Sequence, residues 1–283
     1  MSETSFTKGL YLVATPIGNI GDISARAMEV LKNADIIACE DTRNTQKLLN
    51  LLNIKFKKLT AYHEYNADKA RPALLNRLQK GEMIALVSDA GTPLVSDPGY
   101  RLVQDCIERN IYVTAIPGAS AVLTALQLSG LPCHRFLFEG FLPPKSAARK
   151  KELSVLTDIP ATLIFYESPQ RLEETLQDMF AVLGDRQAAV IRELTKKFEQ
   201  AVRGNISGLQ RYYAGNGIPK GEIVIVVAPA EQKKFSDEDI KNQLLDALHT
   251  MSVKEAAALV SRSTGLSKKA VYQKALELKN ETK

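Results

Sequence analysis

Short apolar segments alternate with longer amphipathic segments up to about residue 131. The apolar run at residues 83–87 is typical of a parallel strand covered on both faces. Asp22 is the expected N-cap of the first helix, and Gly81 ends the third. The strands predicted here are residues 10–14, 36–39, 57–61, 83–87 and 112–116, and the helices are residues 23–33, 45–52, 69–80, 100–109 and 119–128. This alternation predicts an α/β architecture with a largely parallel sheet.

The pattern changes near residues 131–151, where Pro132, Pro143 and Pro144 interrupt it. A second α/β portion follows, with strands predicted at residues 136–140, 161–166, 188–192 and 223–228, an added antiparallel strand at 200–203 and a helix at 172–180. A polar linker at residues 229–234 precedes three predicted helices, at residues 237–248, 253–263 and 268–279. The predicted domains are therefore residues 1–131, residues 132–230 and a helix-turn-helix-like module at residues 235–283.

Three predicted strands end in turns rich in glycine and proline. These turns read T-P-I-G-N at 15–19, S-D-A-G-T-P at 88–93 followed by S-D-P-G at 96–99, and P-G-A-S-A at 117–121. Ligands of open α/β sheets bind at the carboxyl ends of strands, and small residues let a ligand approach the backbone. Ordinary turns are the alternative interpretation, but three such turns at one sheet edge favour a ligand site.

Several common nucleotide and hydrolase signatures are absent from the chain. No G-x-G-x-x-G follows the first strand, no G-x-x-x-x-G-K-[ST] occurs, and there is no G-x-S-x-G. A dinucleotide-binding Rossmann site, a P-loop and a nucleophile elbow are therefore disfavoured.

Composition narrows the class of protein only slightly. The 283 residues are 45% hydrophobic and 24% charged, as in an average globular protein, and the net charge of +5 permits an anionic partner without requiring one. The three cysteines and three histidines lack the spacing of a disulfide framework or a zinc site, so no metal is predicted. Without a long apolar run or a signal peptide, we expect a soluble cytoplasmic protein.

Eight short motifs, in order, resemble a known enzyme family. V-A-T-P-I-G-N at 13–19, E-D-T-R at 40–43, S-D-A-G-T-P with S-D-P-G, and P-G-A-S-A are similar to the tetrapyrrole-methylase-like family of S-adenosylmethionine enzymes. G-F-L-P at 140–143, F-Y-E-S-P at 165–169, R-E-L-T-K at 192–196 and K-G-E at 220–222 resemble its branch of bacterial 16S rRNA cytidine 2′-O-methyltransferases. The resemblance implies two α/β domains of the tetrapyrrole-methylase type, S-adenosylmethionine in the cleft between them, and a homodimer.

The resemblance also implies which residues hold the cofactor. They are Pro16, Asp89, Ala90, Thr92, Ser120, Ala121, Tyr166 and Leu194. Two of them have structural alternatives, because Asp89 could cap the turn after its strand and Ser120 could cap the next helix.

Methyl transfer to a ribose 2′-hydroxyl is an in-line displacement that is aided by alignment and by a group that accepts the proton. The candidate catalytic residues are Asp41, Glu167, Glu193 and Lys196, and Glu40 is a further candidate base; each follows a predicted strand. Each could instead form an ion pair, as Asp41 could with Arg43.

The candidate RNA-binding cations are Arg43, Lys145, Arg149, Lys150 and Lys151. The last four belong to a basic run at 143–151, which could also be a solvated face.

The expected function is therefore S-adenosylmethionine-dependent 2′-O-methylation of a cytidine in the decoding region of 16S rRNA, within the small ribosomal subunit. Two alternatives stay open: a methylase of porphyrin-like small molecules, and a nucleic-acid-binding protein whose body only senses S-adenosylmethionine. The C-terminal module carries five Lys/Arg and one Glu over residues 262–279, which fits either RNA contact or a packed helical cap.

Overall fold

The computed structural model describes residues 6–230 and 236–281, with no side-chain description for residues 280 and 281. Its contacts divide the chain into two compact units, Met1–Ala230 and Glu231–Lys283. The linker predicted at residues 229–234 falls mostly outside the described residues.

The first sheet has five strands, all parallel. They are β1 Leu10–Val13, β2 Ile36–Cys39, β3 Leu59–Ala61, β4 Ile84–Val87 and β5 Val113–Ile116, in the order β3-β2-β4-β1-β5. The helices that connect and follow these strands are α1 Ala25–Asn33, α2 Thr42–Leu51, α3 Ala67–Gln79, α4 Tyr100–Glu108 and α5 Ala121–Ser129. Every residue of β2 and β4 is buried, because helices cover both faces of the sheet, and this explains their unbroken apolar sequences.

The second sheet is mixed and mainly antiparallel. Its strands are β6 Phe136–Phe141, β7 Thr162–Glu167, β8 Gln187–Arg192, β9 Gln200–Asn205 and β10 Ile223–Val227, in the order β6-β7-β10-β8-β9. Only β6 and β7 pair in parallel; β9 is antiparallel, in agreement with the prediction for residues 200–203. The accompanying helices are α6 Ser146–Val155, α7 Leu172–Leu183 and α8 Ile206–Asn216. Of these, α6 was not predicted from the sequence, whereas the stretch before Gly215 that becomes α8 has a helical pattern.

Two helix starts differ from the sequence predictions. Asp22 lies in a short 3₁₀ turn, and Ser24 caps α1 instead, its hydroxyl accepting the Ala27 N–H at 3.1 Å. Asp41 caps α2 by accepting the Arg43 N–H at 2.8 Å, so that helix begins three residues earlier than predicted. In both cases the side chain that satisfies a free N–H of the first turn decides where the helix begins.

One apolar cluster joins the two sheets. Helix α5 contributes Val122, Ala125 and Leu126, which pack with Ile164 of β7, Ile191 of β8 and their neighbours on the second sheet. Helix α5 directly follows the P-G-A-S-A turn, so its docking places the strand ends of the first sheet next to the second sheet. The boundary predicted between residues 131 and 132 lies just after this helix and stays a prediction.

The C-terminal unit is a small three-helix module. Its helices are α9 Asp237–Leu248, α10 Val253–Thr264 and α11 Lys268–Glu281. Their apolar core consists of Ile240, Leu244, Ala257, Val260, Val271 and Ala275. Capping boxes start α9 and α10, Gly265 ends α10 in the left-handed conformation, and the Ser267 hydroxyl accepts the Ala270 N–H at 3.3 Å. These helices match the predicted ones closely.

Within the described residues, no helix is long and apolar enough to cross a membrane.

The packing of α5 gives a first prediction. Leu126→Ala should lower the free energy of unfolding by about 2–5 kcal/mol, because it leaves a cavity in the cluster that joins the sheets. Leu123→Ala, on the exposed face of the same helix, is the matched control and should change it by less than about 1 kcal/mol. Denaturant unfolding followed by circular dichroism measures both. Equal effects of the two substitutions would contradict this account of the joining cluster.

Candidate active site

The loops after β1 and β4 are bonded to each other. Thr15 and Gly91 exchange two backbone hydrogen bonds, with N···O distances of 2.9 and 3.0 Å. The buried Thr15 hydroxyl donates to the Ser88 carbonyl at 3.4 Å, and the Ser88 hydroxyl donates to the Ala90 carbonyl at 3.1 Å. Gly91 has φ +80°, a conformation that other residues rarely adopt. The two loops therefore form one preorganised backbone wall.

The loop after β5 completes this wall. The Thr92 hydroxyl donates to the Ala119 carbonyl at 3.1 Å and so bridges the β4 and β5 loops. Gly118 packs so closely against β1 that a Cβ there would lie 3.0 Å from the Ala14 Cβ. The three glycine-rich turns noted in the sequence thus lie together, as predicted from the parallel topology.

A cavity of about 700 Å³ lies between this wall and the second sheet. Its volume is in the range of about 300–1,000 Å³ that is usual for small-molecule and cofactor sites. The first half of the unit contributes Ile17, Asp89, Ala90, Gly91, Thr92, Val95, Ser96, Asp97, Ser120 and Ala121, and the second half contributes Phe141, Tyr166, Glu167, Ser168, Pro169, Leu194, Lys196, Gly221, Glu222, Ile223 and Val224. Of the eight cofactor residues expected from the resemblance, every one except Pro16 lines this cavity; their contact with a cofactor stays a prediction.

Asp89 and Ser120 both have structural partners as well. The Asp89 carboxylate accepts the Asp41 N–H at 3.1 Å and the Asn44 side-chain amide at 2.8 Å, so it anchors the loop between β2 and α2. The Ser120 hydroxyl accepts the Leu123 N–H at 3.4 Å and caps α5. A helix-capping role and a place in the cavity wall are therefore compatible for Ser120.

Asp41 is poorly suited to accept a proton. Its carboxylate forms an ion pair with Arg43 at 2.7 Å, and it does not line the cavity. Hydrogen bonds from the Arg43 side chain and backbone lower the pKa of Asp41 to about 2. The ion-pair alternative describes Asp41 better than the catalytic one does, while Arg43 stays largely exposed.

Glu167 borders the cavity, but its carboxylate is engaged within the protein. It accepts the Thr175 hydroxyl at 2.6 Å and the Ser168 N–H at 2.7 Å, and Arg171 lies 3.3 Å away. The side chain is almost fully buried. These contacts hold the corner between β7 and α7, so we assign Glu167 a structural role instead of the expected catalytic one.

Lys196 lies in the wall of the cavity and forms ion pairs there. Its Nζ lies 2.9 Å from Glu193 and 3.5 Å from Glu222. Burial lowers the pKa of Lys196, but the hydrogen bond and charges of Glu193 and Glu222 outweigh it and raise the pKa above the usual value. Lys196 is therefore protonated at neutral pH, which disfavours it as the proton acceptor, and its catalytic role stays a prediction. Glu193 is paired with Lys196 and is not among the residues that line the cavity.

Close backbone approaches fix this cluster. A Cβ at Gly18, in the loop after β1, would lie 2.5 Å from the Lys196 Cγ, so the lysine stem rests on that loop. A Cβ at Gly221 would lie 2.0 Å from the Glu193 Oε1. Glu193 itself has φ +51°, a strained conformation for a residue with a side chain. A side chain at Gly18 would displace the stem of Lys196, and one at Gly221 would displace the carboxylate of Glu193. Glycine at both positions therefore leaves room for the Lys196–Glu193 ion pair.

Asp97 is the functional candidate that the sequence reasoning missed. Asp97 lines the cavity, and burial is the largest cause that raises its pKa to about 6. A hydrogen bond with Ser88 opposes the shift, and the charges of Glu40 and Asp89 add to it. Burial, followed by the charge of Asp89, also raises the pKa of Glu40. Asp97 belongs to the S-D-P-G motif at 96–99, so it could have been singled out. The sequence does not show, however, that Asp97 lies near Glu40 and Asp89.

The basic run divides into a buried and an exposed part. Arg149 is fully buried, and its Nε lies 2.7 Å from Asp178 while its Nη1 donates to the Pro144 carbonyl at 3.2 Å. It therefore cannot meet an RNA phosphate, which corrects the prediction for this residue. Lys150 is half-exposed and lies 3.3 Å from Asp178, whereas Lys145 and Lys151 are exposed and form no ion pair among the described residues. Burial raises the pKa of Asp178, but hydrogen bonds from Arg149 and Ser146 outweigh it and leave the pKa below its usual value.

Known proteins resemble both units of the chain. The family model described as Tetrapyrrole (Corrin/Porphyrin) Methylases matches residues 9–210, and the model described as the RsmI C-terminal HTH domain matches residues 235–279. A protein named ribosomal RNA small subunit methyltransferase I, from Mesorhizobium japonicum, is 52% identical over 96% of this chain and 92% of its own length. Proteins of the same name from Vibrio cholerae and Escherichia coli O157:H7 are 46% and 45% identical, each over 95% of this chain and 94% of their own length.

Solved structures share the fold at low sequence identity. Diphthine synthase superposes with a TM-score of 0.58 at 16% identity, covering 77% of this chain and 89% of the other. Uroporphyrin-III C-methyltransferase from Thermus thermophilus, solved with S-adenosylhomocysteine, gives a TM-score of 0.54 at 18% identity, covering 79% and 97%. These likenesses confirm the predicted fold class.

The buried ion pair gives a second prediction. Asp178→Asn should lower the free energy of unfolding by about 3–5 kcal/mol at pH 7, because it leaves the Arg149 charge buried without its partner. Lys151→Ala, on the exposed face of α6, the helix that carries Arg149, should change it by less than about 0.5 kcal/mol. Since the folded protein holds the Asp178 pKa below its ordinary 3.8, the difference between wild type and D178N should shrink as the pH falls below that value. Urea unfolding at several pH values tests this, and a pH-independent difference would count against the pair.

Proposed function

The chain belongs to the tetrapyrrole methylase family, and on that basis we propose that it transfers a methyl group from S-adenosylmethionine to the 2′-hydroxyl of a cytidine in 16S rRNA, in the decoding region. The observation that carries the proposal is the 45–52% identity, over nearly the whole length, to proteins named ribosomal RNA small subunit methyltransferase I. The likeness extends through the C-terminal module, which the general methylase model does not cover. The chain is a methyltransferase of this family, with S-adenosylmethionine as its methyl donor.

The residues of the cavity suit this cofactor. Ala90, Gly91 and Ala121 keep side chains short where the cofactor would meet backbone amides and carbonyls. Asp89 and Asp97 supply negative charge for a cation such as a sulfonium. When bound, S-adenosylmethionine supplies an electrophilic methyl group on a sulfur that leaves readily. The walls contributed by Ile17, Leu194 and Val224 are apolar and suit the uncharged parts of the cofactor.

Asp97 is the carboxylate best suited to take the proton of the 2′-hydroxyl. At neutral pH it is mostly ionised, yet its pKa of about 6 makes it a stronger base than an ordinary aspartate. Asp41, with a pKa of about 2, is a much weaker base. The other acids that line the cavity are already engaged, Glu167 by Thr175, Asp89 by Asn44 and Glu222 by Lys196. Among the cavity carboxylates, Asp97 therefore combines access with basicity.

The cations around the cavity are suited to the RNA backbone. Lys196 presents an ammonium inside the cavity that could bind a phosphate of the target nucleotide, while Glu193 positions it. Lys145, Lys150 and Lys151 on α6 present exposed charge for phosphates farther along the strand, and Arg43 does so from α2. The RNA that we propose to bind here is 16S rRNA within the small ribosomal subunit. We also expect the protein to act in the cytoplasm as a homodimer.

The structural neighbours do not favour a porphyrin-like substrate. They are 16–19% identical to this chain and share its fold without showing its substrate. The rRNA substrate is better supported, because proteins 45–52% identical to this chain are named ribosomal RNA small subunit methyltransferase I.

The proposal predicts methyl transfer to a defined position. The purified protein should transfer labelled methyl from S-adenosylmethionine to small ribosomal subunits from cells that lack its gene, and not to subunits that are already modified. Mass spectrometry of rRNA fragments should place the methyl on the ribose of one cytidine. Labelling of a tetrapyrrole in place of rRNA, or of a base in place of a ribose, would refute the proposal.

The role of Asp97 predicts a pH profile. Only the ionised carboxylate accepts a proton, so kcat/KM should fall about tenfold per pH unit below pH 6 and level off above it. Asp97→Asn should lower kcat by about 10²- to 10⁴-fold and remove this limb of the profile. Asp22→Asn, at an exposed position in the turn before α1, is the control and should keep both the rate and the profile. A D97N enzyme that retains the acidic limb would exclude Asp97 as the base.

A further inference from the structure

Phe141 is an exposed aromatic residue at the edge of the cavity. It ends β6, lines the cavity and keeps 60% of its surface exposed. The register of β6 against β7 shifts between Phe138 and Gly140, and Gly140 has φ +74°. Such an irregularity changes the direction of the side chains that follow it. The strand is therefore bent just before Phe141, where β6 reaches the cavity.

The ring of Phe141 is supported from the protein side. Its centroid lies 5.4 Å from that of Tyr166, which in turn lies 4.8 Å from Phe138. Tyr166 is largely buried, and burial, followed by the charges of Asp97 and Glu222, raises its pKa to about 12. It is therefore neutral at physiological pH. The Phe141 ring leans against this aromatic cluster, tilted by 60° from the Tyr166 ring, and most of its surface stays exposed.

Phe141 lies near the proposed proton acceptor. A Cβ built on Gly140 would lie 3.2 Å from the Ser96 hydroxyl, so the end of β6 packs against the residue next to Asp97. Asp97 and Phe141 both line the same cavity. A nucleotide whose ribose reaches Asp97 therefore has its base within reach of Phe141.

The chain after Phe141 is rigid and leads to exposed cations. Arg171 donates to the Leu142 carbonyl at 2.7 Å and to the Pro143 carbonyl at 3.3 Å. Helix α6 follows, with Lys145 at its start and Lys151 on its exposed face. Phosphates flanking the target nucleotide would meet these lysines. An exposed aromatic ring followed by exposed cations is the combination with which proteins commonly bind single-stranded nucleic acid.

We propose that Phe141 is the stacking platform for the base of the target nucleotide once that nucleotide has left the RNA stack. This inference rests on the proposed rRNA substrate. Stacking on an aromatic face tolerates any base, so Phe141 holds the nucleotide in place and does not select cytidine. By keeping the base fixed, the ring orients the attached ribose for in-line attack.

A substitution series at Phe141 tests the platform. With small ribosomal subunits lacking the modification, Phe141→Ala and Phe141→Leu should both lower kcat/KM by about 5- to 150-fold, the range measured when a stacking residue is removed. Phe141→Tyr and Phe141→Trp should stay within about threefold of wild type, because any aromatic face can stack. The Kd for S-adenosylmethionine, measured by calorimetry, should not change in any variant. Phe180→Ala, at an exposed phenylalanine on α7, is the matched control and should leave kcat/KM unchanged.

Each other outcome overturns the inference in a recognisable way. Full activity in Phe141→Leu would show that an apolar side chain suffices and that no stacking occurs. A weaker Kd for S-adenosylmethionine in Phe141→Ala would assign the ring to the cofactor. A change of oligomeric state in sedimentation would assign it to a contact between copies of the chain. Absence of methyl transfer by the wild-type protein would instead refute the proposed function, and the stacking platform with it.

Discussion

The apolar contact between α5 and the second sheet is the interaction on which the site depends. Val122, Ala125 and Leu126 bury one face of α5 against β7, β8 and β10. The same helix begins at the P-G-A-S-A turn that lines the cavity, so the turn cannot move away from the second sheet while α5 stays docked. Burial of these side chains is non-directional, but the hydrogen bonds between the strand-end loops give the docked arrangement its precise geometry.

The proton affinity of each acid at the site depends on whether a cation lies beside it. Asp41 and Glu193 are paired with Arg43 and Lys196, and this pairing takes them out of proton-transfer chemistry. Asp97 and Glu40 lie near other acids and are partly buried, which raises the pKa of each. Asp41 and Asp97 thus differ in proton affinity although both are aspartates, because local desolvation and neighbouring charge set the pKa of each.

The grouping of the strand-end loops of the first sheet was predictable, because parallel topology brings these loops to one edge. All of the expected cofactor residues except Pro16 line the cavity. The antiparallel character of the second sheet was largely missed, since short apolar runs such as β10 read alike in either direction. Arg149 was misassigned because a basic run does not show which cation turns inward. Its position four residues before the buried Leu153, on one face of α6, was the available signal.

Arg149, which is fully buried, and Arg171, which is partly buried, both hold the backbone next to the proposed RNA-binding lysines. Arg149 holds the Pro144 carbonyl and Arg171 holds the Leu142 carbonyl, so both fix the backbone between Phe141 and the exposed lysines. Their charges are compensated internally by Asp178 and Glu167, which leaves Lys145 and Lys151 to supply the field outside. The cations of this region therefore divide into those that shape the loop and those that can meet phosphate. In the proposed complex with RNA, a loop held by Arg149 and Arg171 would lose little conformational entropy on binding, so both arginines would aid recognition without touching the substrate.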